Sequence, residues 1–215
     1  MKQSKIKNII FDFDGTLADT LEVILATMRE LTKEFNLPEL SDDECKSVIG
    51  IKLEEAPKAL WGEKAMSEEE FVDVYRRIFF HLKDKVEIRC FPGVEETLHE
   101  LYTKGVNMAI ASSRSRASLE EYLERLGIRK YFTMLVGGDE VKEGKPAPET
   151  VERILSTMDW KANETMTVGD MAVDILMGKG AGTATCGVTY GNGTHRQLVD
   201  AGADHVLDAF REIPL

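Results

Sequence analysis

The stretch Ile6-Lys7-Asn8-Ile9-Ile10-Phe11-Asp12-Phe13-Asp14-Gly15-Thr16 reads as a buried strand that ends on two aspartates. From Ile6 to Phe11 the run is nearly unbroken in its apolar character, which is how a parallel strand covered on both faces reads. Side chains alternate along a strand, so Asp12 and Asp14 both aim at the space beyond its carboxyl end. Ligands of open α/β sheets bind there. Two carboxylates this close repel each other unless a cation or a shared proton intervenes, which makes the pair costly without magnesium and useful with it. Gly15 suits a backbone that must turn sharply. An arbitrary DxD more often caps a loop or a helix, because Asp is common in turns. The buried strand before this pair and the Gly-Thr after it reverse that preference.

Comparable short runs recur at Val106 to Ala111, Met134 to Val136, Thr165 to Val168 and Thr183 to Val188, each followed or separated by helical patterns. Together they predict βα alternation, hence an α/β fold with a three-layer, Rossmann-like core around a parallel sheet. Roughly 90 residues separate the first two runs, far more than a crossover helix needs. Leu21, Ile24, Leu25, Met28, Leu31 and Phe35 follow helical spacing, and Phe71, Val74, Tyr75, Ile78, Phe79 and Leu82 do so again after a capping box from Ser67 to Glu70. The chain therefore divides into a core of residues 1–18 and 86–215 and an inserted all-helical cap of residues 19–85. Gly15 to Thr20 and Asp84 to Pro92 would be the paired connections between them, an arrangement able to act as a hinge.

Composition narrows the partners. The chain has 215 residues, 43% hydrophobic and 30% charged, ordinary values for a globular protein. Its net charge of −11, from 38 acidic and 27 basic residues, would repel a polyphosphate backbone and forgo counterion release, which argues against nucleic acid and anionic membranes. A small anionic substrate would need a local cation to reverse the field at its site. Cys45, Cys90 and Cys186 are far apart and in no CxxC pattern, so a reducing cytoplasm is the simple reading. The first apolar run is too short for a signal peptide or a membrane span. Sequons at Asn163 and Asn192 read as chance without a secretion signal. His81, His99, His195 and His205 are too scattered for a metal site. Nothing in the apolar pattern demands a partner subunit, so a monomer is compatible with it and the oligomeric state stays open.

A second carboxylate pair appears in Gly169-Asp170-Met171-Ala172-Val173-Asp174, again at the end of an apolar strand. Asp170 would leave the strand and Asp174 would lie in the first helical turn, where negative charge is tolerated by the macrodipole and pure capping is a fair alternative. Ser112 and Ser113 follow the strand ending at Ala111, and a hydroxyl backed by amides of the next helix suits a phosphate oxygen or an N-cap equally. Lys145 sits in Gly144-Lys145-Pro146-Ala147-Pro148, where prolines stiffen the loop and could aim the ammonium inward, although a loop lysine is usually solvated.

In this order the four segments resemble the haloacid dehalogenase superfamily: DxDGT, a Ser after a strand, a Lys before Pro, and GDxxxD. The resemblance spans nearly the whole chain, and the cap after the first motif is similar to the helical cap of the C1 subgroup. Gly15 to Thr20 and Gly187-Val188-Thr189-Tyr190-Gly191 are similar to stretches of phosphoglycolate phosphatases. The resemblance implies a Mg²⁺-dependent phosphomonoester hydrolase for a small phosphorylated metabolite, phosphoglycolate first. It implies Asp12 as nucleophile forming an aspartyl phosphate, Asp14 as general acid and base, and Lys145 as the cation of the reaction. Thr16, Ser112, Ser113 and Lys145 would bind the phosphate. Asp12, the Asp14 carbonyl and Asp170 would hold Mg²⁺, with Asp174 orienting Lys145 or acting through a water. Met171 departs from the Ser or Thr of many relatives, and Ser113-Arg114 stand where phosphoglycolate phosphatases often show Asn-Lys. Lys52, in Ile49-Gly50-Ile51-Lys52, falls where relatives carry a specificity loop and could meet a substrate carboxylate; a solvated lysine is the plainer reading. A phosphotransferase resembling β-phosphoglucomutase would use the same two aspartates, and a non-catalytic protein could keep the fold alone.

Overall fold

The computed structural model describes residues 6–62 and 66–214. Eight strands and nine helices follow one another among these residues. The strands are β1 (Asn8–Phe11), β2 (Ala18–Asp19), β3 (Arg89–Cys90), β4 (Asn107–Ala111), β5 (Met134–Val136), β6 (Thr165–Gly169), β7 (Ala184–Val188) and β8 (His205–Leu207). The helices are α1 (Leu21–Glu34), α2 (Asp42–Ser47), α3 (Ala56–Trp61), α4 (Glu68–Leu82), α5 (Val94–Thr103), α6 (Arg116–Arg125), α7 (Glu149–Met158), α8 (Ala172–Gly180) and α9 (His195–Asp200).

The main sheet is six-stranded, parallel throughout, in the order β5-β4-β1-β6-β7-β8. β1 is central and buried along its whole length, and chain order reverses there, so the crevice at its carboxyl end is the expected ligand position. Alternation sorts its residues cleanly. Ile9 and Phe11 pack with Leu98, Leu119 and Leu123 of α5 and α6, while Ile10 packs with Val151, Ile154 and Met177 of α7 and α8. Helices thus cover both faces, which is the three-layer α/β arrangement. The predicted strands keep their places, with Ile6 and Lys7 left outside the first. β8 had no counterpart in the sequence reading, because its three residues are half exposed and carry no apolar run.

Helices α1 to α4 occupy the stretch between β1 and β4 that the sequence assigns to a cap, and α1 packs on α4. Met28 and Leu31 of α1 and Phe71 and Phe79 of α4 are buried in one cluster with the Ile9 and Phe11 face of the sheet. The Ser67 hydroxyl accepts the Glu70 N–H at 3.1 Å, the forward half of the expected capping box. The two chain passes between β1 and the helices lie side by side: Ala18 pairs with Cys90 and Asp19 with Arg89 in a short antiparallel ribbon, β2 with β3. No helix among the described residues is long and apolar enough to cross a membrane.

Candidate active site

Parallel register assembles the site. Phe11 stands opposite Ile110 of β4 and Val168 of β6, so the next residues of each strand emerge together at one edge. The Asp12 N–H donates to Val168 O at 2.8 Å and the Ser112 N–H to Val136 O at 3.0 Å, which carries the ladder one step past the strands. Asp12, Asp170 and Asp174 are all at least nine-tenths buried, and each offers a carboxylate oxygen within 4.8 Å of the others.

Lys145 is the cation at this cluster. It is 2% exposed, forms an ion pair with Asp12 Oδ1, and donates to Asp174 Oδ1 at 2.7 Å. Burial alone would depress its pKa, but the Asp12 and Asp174 carboxylates outweigh burial and hold it above the ordinary lysine value. Asp174 also accepts the Met171 N–H at 2.9 Å through Oδ2, so it caps α8 and orients Lys145 with different oxygens. The two roles read as alternatives in sequence are both present.

One ammonium does not balance three carboxylates. Burial first, then the charges of Asp174, Asp170 and Asp14, raise Asp12 well above the ordinary carboxylate range against the pull of Lys145. Asp170 is pushed up to about 7, by burial and then by Asp174, although the Asn192 N–H, the Thr16 hydroxyl and Lys145 oppose the shift. Such a cluster is deficient in positive charge, and its donors are all hard oxygens. That is the donor set a small divalent cation takes.

Thr16, expected among the phosphate ligands, is turned elsewhere. Its hydroxyl lies 3.1 Å from Asp170 Oδ1 and 3.3 Å from Asp12 Oδ2, its N–H donates to Phe13 O, and its carbonyl accepts the Tyr190 hydroxyl at 2.9 Å. Full burial of Thr16 aims it at the carboxylates and makes it an orienting residue. Asp14 differs too. Its carboxylate is outside the buried cluster: Oδ1 accepts the Thr20 hydroxyl at 2.7 Å, and Arg114 donates to both oxygens, from Nη2 at 2.5 Å and Nε at 3.1 Å. Ser112 is 2% exposed and its hydroxyl accepts the Arg114 N–H at 3.2 Å. The Ser113 hydroxyl reaches across to Gly50 O at 2.5 Å, so it ties the segment between α2 and α3 to the end of β4. Lys52 is only partly in solvent. Its ammonium donates to Val141 O at 2.7 Å and Lys142 O at 3.0 Å, in the loop that leads to Lys145.

Three contributors went unrecognised in the sequence. Arg114 was visible only as a departure from an Asn-Lys pattern. Asn192 read as a stray sequon, yet its N–H and side-chain amide donate to Asp170 Oδ2 at 2.7 and 3.1 Å. Tyr190 lay in a stretch noted only for its similarity. The available signal for all three was a polar residue just past the end of a strand. Gly15 has φ +88°, and a Cβ there would lie 2.2 Å from Asp170 Oδ2, so both backbone and neighbour demand glycine.

Above the carboxylates, between the helices α1 and α4 and the core, lies a cavity of about 320 Å³. Asp14, Ser113 and Arg114 line it on the core side, with Ile24, Met28 and Phe79 opposite.

Fold and site are those of an α/β enzyme with an aspartate-rich centre at the carboxyl edge of its central strand. Residues 9–188 match the model of the haloacid dehalogenase-like hydrolases. A phosphoglycolate phosphatase of Vibrio parahaemolyticus is 31% identical over 99% of this chain and 96% of its own length. The pyrophosphatase PpaX of Halalkalibacterium halodurans is 30% identical over 97% and 95%. The crystal structure of a hydrolase from Pseudomonas syringae superposes with a TM-score of 0.82 at 25% identity, covering 93% of this chain and 92% of that one. The chain belongs to the haloacid dehalogenase-like hydrolases. Within them it is an enzyme of the phosphatase kind.

Proposed function

We propose that the chain is a Mg²⁺-dependent phosphomonoester hydrolase that works through an aspartyl phosphate on Asp12, with phosphoglycolate as first-choice substrate. The observation that carries this reading is Asp12 at the end of the central strand, ion-paired to Lys145 and set beside Asp170. Mg²⁺ held by the Asp12 and Asp170 carboxylates and the Asp14 carbonyl would supply positive charge for the phosphoryl oxygens. Asp12 attacks phosphorus in line while Asp14 gives a proton to the leaving alkoxide. Asp14 then takes a proton from the water that hydrolyses the acyl phosphate, and Asp12 is regenerated. Lys145, fixed by Asp174, faces the charge that builds on the phosphoryl group, with the Ser112 hydroxyl and Ser113 N–H as further donors.

Phosphate release from phosphoglycolate, pyrophosphate, sugar phosphates and nucleotides, with Mg²⁺ and with EDTA, tests the reading. Release that requires Mg²⁺, and that vanishes in a folded Asp12→Asn variant, is the expected result. Near-normal turnover by Asp12→Asn would remove Asp12 as nucleophile. No release from any ester would leave the phosphotransferase and non-catalytic readings.

A further inference from the structure

Asp14 is held by a single guanidinium. Arg114 donates to both of its oxygens, and Thr20 adds a third bond to Oδ1. In the reaction proposed above, Asp14 must face the leaving-group oxygen, and an oxygen already engaged by strong N–H donors is turned away from that task. For Asp14 to act, this grip has to loosen.

Loosening it leaves Arg114 without its counter-ion. The side chain is only 10% exposed. Its remaining donor with a recorded protein partner, Nη1, gives a hydrogen bond to Ser118 at 3.0 Å. The guanidinium lies 4.9, 5.1 and 5.8 Å from the rings of Tyr122, Phe79 and Phe13, which compensate a bare cation only in part. An enclosed guanidinium needs an anion. The other carboxylates that line the cavity are engaged elsewhere: Glu54 faces Arg76 at 3.8 Å, Glu121 holds Lys83 at 2.6 Å, and Asp139 accepts the Arg116 N–H at 2.8 Å. Ile24, Met28, Ile49 and Leu53 make up apolar wall that offers little to the hydroxyls of a sugar.

We propose that Arg114 is a specificity-determining residue that selects phosphate esters or anhydrides whose leaving group carries a second anion, a carboxylate or a phosphoryl group. That anion takes over the guanidinium, and Asp14 is released to turn toward the leaving oxygen. A leaving group without the anion leaves Asp14 gripped or Arg114 unpaired. The inference rests on the phosphatase reading of Asp12 and Asp14.

The test compares kcat/KM for phosphoglycolate and for ethyl phosphate, which differ by a carboxylate against a methyl group. Pyrophosphate serves as the phosphoryl arm. The full chain is assayed with Mg²⁺ as wild type, Arg114→Met and Arg114→Lys. In wild type at least one anionic substrate exceeds ethyl phosphate by roughly tenfold or more, the scale of a hydrogen bond to a charged group. Arg114→Met collapses that ratio and Arg114→Lys restores part of it, whereas a purely structural role for Arg114 would slow all three substrates together. The substrate whose ratio collapses identifies the anion as carboxylate or phosphoryl. A wild-type ratio near one overturns the proposal even if Arg114→Met fails to fold, and so does a ratio that Arg114→Met leaves unmoved. Failure of the underlying reading looks different: no Mg²⁺-dependent phosphate release from any of the three.

Discussion

The Lys145 ammonium bridges the carboxyl edge of β1 and the start of α8, paired with Asp12 Oδ1 on one side and 2.7 Å from Asp174 Oδ1 on the other, its side chain 1% exposed. It is the cation that allows Asp12, Asp170 and Asp174 to share one buried space. Lys145→Met keeps much of the volume and removes the charge. Turnover should fall by roughly a hundredfold or more, because a preorganised charge opposite the phosphoryl group is lost. Stability in EDTA at pH 8 should drop by about 3 kcal/mol, the scale of breaking a buried pair, with part recovered on adding Mg²⁺. Denaturant melts with and without the metal measure this. A variant as stable as wild type in EDTA would show that Lys145 adds no net stability to the cluster.

Proton and metal should compete at Asp170. Its pKa is pushed up to about 7 by burial and by Asp174, so without metal it gains a proton as pH falls through that value. Metal binding must expel the proton. Apparent Mg²⁺ affinity should therefore weaken as pH falls through about 7, by roughly tenfold per unit for this one linked proton. The same raised carboxyl makes the metal-free fold less stable as pH rises from 3.8 toward about 7, since over that window the folded state holds the proton that the unfolded chain has released. Calorimetric titration with Mg²⁺ between pH 5.5 and pH 8 checks the first sign, and melts in EDTA check the second. An affinity constant across the range would contradict the shift.

The fold was legible because β1 is covered on both faces: Ile9, Ile10 and Phe11 admit no polar alternate, so the strand reads as a continuous apolar run. Asp12, Asp170 and Lys145 were legible for the same reason, as charged residues placed directly after such runs or in a stiffened loop. Arg114 and Asn192 were not. Each acts by long-range pairing, 100 residues from Asp14 and 22 from Asp170, and no local period or spacing records such a partner. For Thr16, the direction of the hydroxyl is set by Asp170, 154 residues away, which no local pattern records.

Gly15→Ala should injure the metal site through the backbone. Gly15 sits at φ +88°, and its added Cβ would fall 2.2 Å from Asp170 Oδ2 and 2.3 Å from Asn192 Nδ2. Left-handed strain of this kind costs about 1 to 3 kcal/mol, and relief of the overlap must displace Asp170. The variant should melt lower and bind Mg²⁺ more weakly together. Unchanged Mg²⁺ affinity with lowered stability would mean that Asp170 can yield without losing its place as a ligand.

Lys52, between α2 and α3, is tied to the loop that carries Lys145. Its ammonium donates to the carbonyls of Val141 and Lys142 at 2.7 and 3.0 Å, and the Ser113 hydroxyl meets Gly50 O at 2.5 Å nearby. These bonds lie partly in solvent, so their net worth is about 0.5 to 1.5 kcal/mol each and global stability should change little. Their effect should appear in turnover. If the closed arrangement is what brings the cavity wall over Asp14, Lys52→Met favours the open one, and kcat and KM should shift together, as they do when a closure step is disturbed. Steady-state kinetics on a saturable ester read both constants, and denaturant melts confirm that the fold is kept. Unaltered kcat and KM in a stable Lys52→Met variant would show that this contact only decorates a cap already held by the apolar packing of Met28, Phe71 and Phe79.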